Sequence, residues 1–218
     1  MVQSKPPVPH CPPDRRKLVL ASGSPRRLDL LRALGLQFEI DASEASEEIA
    51  AGLDIAEAVV DVALRKARDV APRHRNALVI AADTLVALDA HVLGKPRDAK
   101  EAAEMLRRLS GRSHRVFTGL AVLDASTLIY ETRVMQTEVQ FRDLSNLEIE
   151  TYVRSGEPLD KAGAYGMQAL GSIFVSRIEG DYFNVIGLPL VALNELLKNA
   201  GCCVLCRRLY GAGQNQSS

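Results

Sequence analysis

Short apolar strands and amphipathic helices alternate along almost the whole sequence, and this alternation constrains the fold more than any other feature. Residues 18–20 form an apolar run, and the leucines that follow recur at helical spacing until Gly35. Residues 116–124 and 128–141 are long strand candidates separated by a short turn, a spacing typical of an antiparallel pair. No internal repeat is visible. We therefore predict an α/β fold with a mixed β-sheet flanked by helices.

Strand ends and helix starts can be placed more closely in the middle of the chain. Residues 77–82 form a short, fully apolar strand candidate that ends at Asp83, and residues 85–92 can return as a hairpin. This boundary places Asp83 at the carboxyl end of a sheet strand, where α/β proteins bind ligands. Three further helical patterns follow residues that favour the N-cap position: Asp54, Asp98 and Ser145.

The chain divides into one folded unit and two terminal segments. Residues 1–16 contain five prolines and are predicted to be a flexible extension, and residues 211–218 form a polar tail without an apolar face. Residues 17–210 remain as the folded domain, which is long enough to bury one sizeable core. We do not expect two independently folding domains.

Charge and hydropathy narrow the classes of partner. The 27 basic side chains balance the 27 acidic ones, so no global positive field attracts nucleic acid or a membrane surface. No apolar run approaches the ~18 residues of a membrane-spanning helix, and the N-terminus carries prolines in place of an apolar signal core. We therefore predict a cytoplasmic protein without a nucleic-acid or membrane partner, in which a local cluster of cations holds any anionic ligand.

The cysteines are concentrated near the C-terminus. Cys202, Cys203 and Cys206 lie within five residues, and Cys11 is far away in sequence. Zinc sites usually combine two such clusters or add histidines at set spacings, and neither accompanies these cysteines. We therefore favour reduced thiols on or near a terminal strand over a zinc site.

The segment after the first strand has the features of a phosphate-binding loop. Ser24 suits a helix N-cap and Pro25 the first helical position, so a helix begins beside Arg26 and Arg27. Unpaired backbone N–H groups at a helix start, next to planar guanidinium groups, suit a polyphosphate. The alternative is a surface turn with two solvated arginines.

Two further polar residues are candidates for catalysis. Asp83 could be a general base or a metal ligand, although an aspartate at a strand end can also simply cap a turn. Lys95 lies between Gly94 and Pro96, which fix a tight backbone and aim one ammonium group. For Lys95 the alternative is a solvated lysine in a loop. Lys66 lies on the helix that Asp54 starts, and it could equally belong to a solvated helix face.

The segment 156–168 is a second polar region, rich in glycine. Glycines let the backbone approach a ligand closely, Lys161 can meet a phosphate, and the amide of Gln168 can pair with the edge of a base. The alternative is a structural loop that happens to carry polar side chains.

Six ordered motifs, covering about residues 17–200, resemble those of the Maf-like nucleoside triphosphate pyrophosphatases. The motifs are Leu20-Ala21-Ser22-Gly23-Ser24-Pro25-Arg26-Arg27, Ala82-Asp83-Thr84, Gly94-Lys95-Pro96, Leu109-Ser110-Gly111 with Val116-Phe117-Thr118-Gly119, the loop 157–168, and the segment 180–190. Six motifs in one order are far more specific than any single motif.

The resemblance implies a fold like that of the Maf and inosine-triphosphatase proteins, with a central nucleotide-binding cleft. It implies hydrolysis of a nucleoside triphosphate to the monophosphate and pyrophosphate, with a divalent cation (Mg²⁺, Mn²⁺ or Co²⁺), by a homodimer. Asp83 would be the general base, Lys95 a second catalytic residue, and Glu47 with Asp83 the metal ligands, with Glu44 or Glu48 as alternatives to Glu47. The substrate-binding residues would be Ser24, Arg26, Arg27, Lys66, Thr84, Lys161 and Gln168.

The segment 160–168 resembles the branch of the family that acts on dTTP and UTP, although Ala169 stands where that branch commonly has glycine. Activity on methylated GTP is one alternative, and a catalytically inactive nucleotide-sensing module is another. A nucleotidyl or phosphoryl transferase is disfavoured because the sequence has no Gly-x-x-x-x-Gly-Lys-[Ser/Thr] loop.

Overall fold

The computed structural model describes residues 16–50 and 52–211, within which seven strands form one mixed sheet. The strands are β1 (Lys17–Leu20), β2 (Glu39–Ile40), β3 (Ala77–Leu88), β4 (His91–Leu93), β5 (Ser113–Asp124), β6 (Tyr130–Phe141) and β7 (Val175–Glu179).

The strands follow the order β2-β1-β3-β5-β6-β7, and β4 also pairs with β3. Strands β1, β2 and the start of β3 are parallel, whereas β3, β5, β6 and β7 are antiparallel neighbours. The predicted mixed sheet and the predicted antiparallel pair of long strands are both confirmed.

Helices cover both faces of the sheet. They are α1 (Pro25–Ala33), α2 (Ile55–Val70), α3 (Ala99–Leu109), α4 (Asn146–Arg154), α5 (Tyr182–Ile186), α6 (Leu190–Asn199) and α7 (Val204–Gly211). Helix α2 packs on one face through small and β-branched residues, and α1, α3 and α6 pack on the other through leucines. Short 3₁₀ turns at 71–73, 157–160, 162–164 and 170–174 complete the chain.

The predicted N-caps are present, with one difference in detail. Asp54 and Ser145 each accept a hydrogen bond from the third residue of their helix, and the glutamate there returns the bond. Asp98 also accepts from the backbone of Glu101, but the Glu101 carboxylate binds the backbone N–H of Arg97 instead. At α3 the Asp98 cap is therefore present, but the reciprocal bond from Glu101 is not.

Strand β3 is longer than the sequence indicated. The apolar run was predicted to end at Asp83, but β3 continues to Leu88, so Asp83 lies in mid-strand. One edge of β3 pairs continuously with β5, and the opposite edge pairs with β1 over Ala77–Ile80 and with β4 over 86–88. Strand β3 continues beyond the end of β1, and no described strand pairs with residues 81–85 on that edge.

The three C-terminal cysteines lie between α6 and α7 or on α7, not on or near a terminal strand, which corrects that prediction. Cys202 is buried after α6, Cys203 immediately precedes α7, and Cys206 is on α7. Within residues 16–50 and 52–211, no group of three or more His, Cys, Asp or Glu side chains is arranged to hold a metal ion.

The predicted terminal segments fall almost entirely outside the described residues, as does Cys11. Arg16, at the edge of the predicted extension, donates a 2.8 Å hydrogen bond to Asp124. Among the helices of the described chain, none is long and apolar enough to cross a membrane.

Gly119 allows α2 to lie close against β5. A Cβ atom at this position would stand 2.2 Å from the carbonyl oxygen of Val59 on α2. We expect Gly119→Ala to lower the free energy of unfolding by about 1–3 kcal/mol or more, because backbone atoms must move to admit the methyl group. Urea unfolding measures this change. Gly94→Ala is the control, since no atom lies within 4 Å of a Cβ added there, and equal losses in the two variants would contradict the prediction.

Candidate active site

A cavity of about 730 Å³ opens where β1 ends and β3 continues. Its walls come from the loop after β1, the uncovered part of β3, the turn around Gly94, and the loop that precedes β7. The carboxyl end of β1 therefore forms one side of the candidate site, in agreement with the rule for ligand positions in α/β folds.

Cations outnumber carboxylates among the described residues that line this cavity. A net positive lining suits a polyanion, and the carboxylates leave room for a metal that accompanies it. The five cationic residues are Arg26, Arg27, Lys66, Lys95 and Lys161, and the three acidic ones are Glu47, Asp83 and Asp160.

Opposite charges alternate along a row that runs through the centre of the cavity. The Lys66 ammonium lies 2.8 Å from Asp83 Oδ1 and 2.5 Å from Glu47 Oε1. Glu47 Oε2 lies 3.6 Å from the Lys95 ammonium. Lys66 is buried, in register with the apolar residues by which α2 packs on the sheet. This register is the signal in the sequence that Lys66 points inward and not into solvent.

The cations of this row lower the pKa of Glu47. Partial burial raises its pKa, but the hydrogen bond and charge of Lys66, followed by the charges of Lys95 and Arg27, outweigh burial and leave the pKa below its usual value. Asp83 Oδ2 accepts no hydrogen bond from the described residues. One oxygen of Asp83 is thus fixed by Lys66, and the other is available to water or metal.

Arg27 is a buried cation whose three guanidinium nitrogens all bind protein groups. Nε donates to the Gly187 carbonyl at 2.8 Å, Nη1 to Ser22 Oγ at 3.1 Å, and Nη2 to Thr84 Oγ1 at 3.1 Å. Burial lowers its pKa, an effect that the Asp83 carboxylate opposes. The family resemblance predicts Arg27 as a substrate-binding residue, and the structure shows that it also joins α1, β3 and the turn after α5.

Thr84 and Ser24 occupy the same end of the cavity. The Thr84 hydroxyl lies 2.9 Å from the Thr118 hydroxyl, which in turn donates to the Asn184 carbonyl at 3.0 Å. Ser24 precedes α1 as predicted and Pro25 starts the helix, but the Ser24 side chain makes no capping bond. Its backbone N–H contacts Ser22 Oγ at 3.3 Å. Ser22 was not singled out by sequence reasoning, although it belongs to the same motif.

Arg26 and Lys161 are joined through Asp160. Arg26 Nη1 lies 3.3 Å from Asp160 Oδ2, and Lys161 Nζ donates to Asp160 Oδ1 and to the Glu157 carbonyl, both at 2.6 Å. Burial raises the pKa of Asp160, but Lys161 and Arg26 outweigh it and the pKa is lowered. The ion pair therefore connects the start of α1 to the loop of residues 157–168.

Gln168 is the one predicted site residue that the structure does not bring to the cavity. Its side chain is exposed and does not line the cavity, whereas Tyr165, Gly166 and Met167 from the same segment do. The sequence pattern marks these three neighbours only as members of the loop, without a role in the site. Their apolar character is the signal that this segment contributes a wall.

Tyr165 contacts the buried side chain of His114. Its hydroxyl lies 2.7 Å from His114 Nε2, and the two rings meet edge-on with centroids 5.3 Å apart. Phe141 packs edge-on against both. His114 is only 2% exposed, and burial lowers its pKa from 6.5 to about 4. Its Nδ1 has no hydrogen-bond partner among the described residues, so an added proton has no acceptor there.

Acid should destabilise the protein through His114. Between pH 6.5 and pH 4 the unfolded chain binds a proton that the folded chain excludes, so the free energy of unfolding falls as the pH falls through this window. At pH 5 the loss relative to pH 7.5 is about 2 kcal/mol. We expect His114→Gln to remove this part of the difference between urea unfolding at the two pH values.

His91→Gln is the matched control for this experiment, because His91 is exposed on β4. It should keep the full acid loss of the wild type. An equal loss in wild type and His114→Gln would show that His114 is not the group responsible.

The residues present fit a divalent cation that brings most of its own ligands. Asp83 and Glu47 both contact the single ammonium of Lys66, so their carboxylates converge on one small region. Mg²⁺ commonly binds through one or two carboxylates together with substrate phosphates and water, and needs no complete protein cage. This agrees with the lack of any three-ligand group in the described part of the chain.

Comparison with known sequences identifies the family. The profile of the family described as "Maf-like protein" matches residues 17–200, which is most of the chain. The chain therefore belongs to the Maf-like family, and the resemblance seen in its motifs is confirmed.

Two relatives are similar over nearly their full length. A protein of Dictyoglomus turgidum named dTTP/UTP pyrophosphatase is 45% identical over 195 residues, which cover 88% of this chain and 100% of that protein. A Bacillus mycoides protein with the same name is 49% identical over 183 residues, or 84% of this chain and 95% of that protein. A HAM1 protein of Coxiella burnetii aligns with 68% of this chain and 86% of its own, at 17% identity and a TM-score of 0.36.

Proposed function

We propose that this protein is a nucleoside triphosphate pyrophosphatase that hydrolyses dTTP and UTP to the monophosphate and pyrophosphate. The observation that carries the proposal is the row Lys95, Glu47, Lys66 and Asp83 inside a cavity with a cationic surplus. The names of the two full-length relatives support the choice of dTTP and UTP.

In this proposal the triphosphate is held by the cations at the mouth of the cavity. Arg26, Lys95 and Lys161 are within reach of solvent, whereas Arg27 is buried and positions the backbone around the phosphates. Phosphate oxygens compete with Asp160 for Arg26. A bidentate guanidinium suits this competition because it binds phosphate through two parallel hydrogen bonds.

The reaction needs a base and a neutralised leaving group. Water breaks the anhydride between the α- and β-phosphorus atoms, and Asp83 accepts the proton that the water loses. The Lys66 ammonium donates a 2.8 Å hydrogen bond to Asp83 Oδ1 and orients the carboxylate for this role. Lysine and arginine groups compensate the charge that develops on the departing pyrophosphate.

Asp83 and Glu47 would hold the divalent cation. When bound, it supplies Lewis-acid charge neutralisation on the phosphate oxygens. Mg²⁺, Mn²⁺ and Co²⁺ are the candidates.

Residues of the loop and the strands form an apolar end suited to a flat base. Val86, Val116, Tyr165 and Met167 line this end of the cavity. The reading of the base by Gln168 stays a prediction from the family resemblance. A homodimer also stays a prediction from the family resemblance. A cytoplasmic location and the lack of nucleic-acid and membrane partners stay predictions from composition and charge.

Asp83→Asn should abolish most turnover while nucleotide binding persists. The amide keeps the shape of the carboxylate but cannot accept the proton, and loss of a general base typically costs ~10²–10⁴ in rate. Pyrophosphate release from UTP measures turnover, and titration calorimetry with UTP measures binding.

Asp89→Asn is the control, because Asp89 lies on the β3–β4 turn outside the cavity at φ 54°, which asparagine tolerates. Turnover near that of the wild type in Asp83→Asn would remove its role as base. Lost UTP binding in that variant would make Asp83 chiefly a metal ligand.

The substrate preference is tested by product analysis. With magnesium, manganese or cobalt present, we expect kcat/KM for dTTP and UTP to exceed that for CTP and GTP, with pyrophosphate as the product. Faster hydrolysis of GTP or a methylated GTP would reject the base assignment but keep the reaction class. Binding of every triphosphate without turnover would favour the nucleotide-sensing alternative.

A further inference from the structure

Two thiols meet at the start of α7, outside the lining of the candidate active site. Cys203 immediately precedes the helix, and Cys206 is its third residue. Their sulfur atoms are in contact at 2.6 Å, and the backbone N–H of Cys206 donates to Cys203 Sγ at 3.2 Å. Both side chains are partly exposed, whereas Cys202 is fully buried.

The structure distinguishes among the disulfide pairings that the sequence allows. Cys202 is adjacent to Cys203 in sequence, but its burial shields it from a reagent in solution. Cys203 and Cys206 are three residues apart at a helix start, which brings the two Cα atoms within the range that a disulfide spans. The structure therefore favours one pair of partly exposed thiols.

The two thiols are not equivalent. Cys203 lies at the N-terminal end of α7 and accepts a backbone N–H, and both features stabilise a thiolate over a thiol. The thiolate is the nucleophile in exchange reactions, so Cys203 is the attacking residue and Cys206 the resolving one.

We propose that Cys203 and Cys206 form a dithiol–disulfide site that reacts with small disulfides. The Cys203 thiolate attacks one sulfur of the disulfide and expels the other as a thiolate, forming a mixed disulfide. Cys206, after losing its proton to solvent, attacks Cys203 Sγ and expels the second thiolate. The two protein thiols are oxidised to a Cys203–Cys206 disulfide, and the small disulfide is reduced to two thiols.

The site is independent of the proposed hydrolysis. None of the three described cysteines lines the cavity. Oxidation is therefore expected to leave the UTP turnover of the protein unchanged, and the two proposals can succeed or fail separately.

The test uses the reduced full-length protein and oxidised glutathione. After reaction and alkylation, intact mass spectrometry should show a loss of two hydrogens and two alkylated cysteines, whereas the reduced protein has four. Peptide mapping should place the disulfide between Cys203 and Cys206. Cys206→Ser should accumulate one glutathione on Cys203, because the resolving thiol is missing.

Matched controls are Cys11→Ser and Cys202→Ala, both of which should still form the Cys203–Cys206 disulfide. If Cys202→Ala does not fold, Cys11→Ser and the peptide map of the wild type still decide. A disulfide that includes Cys11 or Cys202, a stable glutathione adduct on the wild type, or four unreacted thiols would each overturn the proposal.

Discussion

The buried guanidinium of Arg27 is the interaction on which the candidate site depends. It comes from α1 and binds the loop after β1, strand β3 and the turn at Gly187, so one side chain fixes three separate segments. An unpaired buried charge costs several kcal/mol of folding free energy. Each of these hydrogen bonds therefore contributes more to stability than a hydrogen bond from a surface arginine would. The Gly187 turn has a φ of 109°, and a Cβ there would stand 3.1 Å from Thr84 Oγ1.

The carboxylates and ammonium groups of the cavity hold one another in place before any ligand arrives. Lys66 is shared by Asp83 and Glu47, and Lys95 is close to Glu47. A group that is already oriented needs little reorganisation when charge develops during hydrolysis, which is the advantage of a preorganised site. The same pairs must loosen when phosphate and metal enter, since both compete for the same charged atoms.

Particular residues show how much of the site can be predicted from the sequence. The predicted site residues Ser24, Arg26, Arg27, Lys66, Asp83, Thr84, Lys95 and Lys161 all line one cavity, although they come from distant parts of the chain. Gln168 does not, because the backbone turns after Met167 and leaves its amide exposed. Asp83 was placed at a strand end because the apolar run stops there. The strand continues because β5 supplies hydrogen bonds along it as far as Ala87, a long-range pairing invisible in a local pattern.

The elements and their chemistry can be predicted from local sequence patterns: alternating strands and capped helices, an α/β class, and a set of charged residues within recognisable motifs. Local propensity and side-chain type act over a few residues, so a linear pattern contains them. Three features depend on long-range packing: Lys66 is buried between two carboxylates, His114 contacts Tyr165, and Cys203 meets Cys206 while Cys202 is covered. These outcomes depend on which faces pack together and on how much water the packing removes, and both are properties of the whole fold.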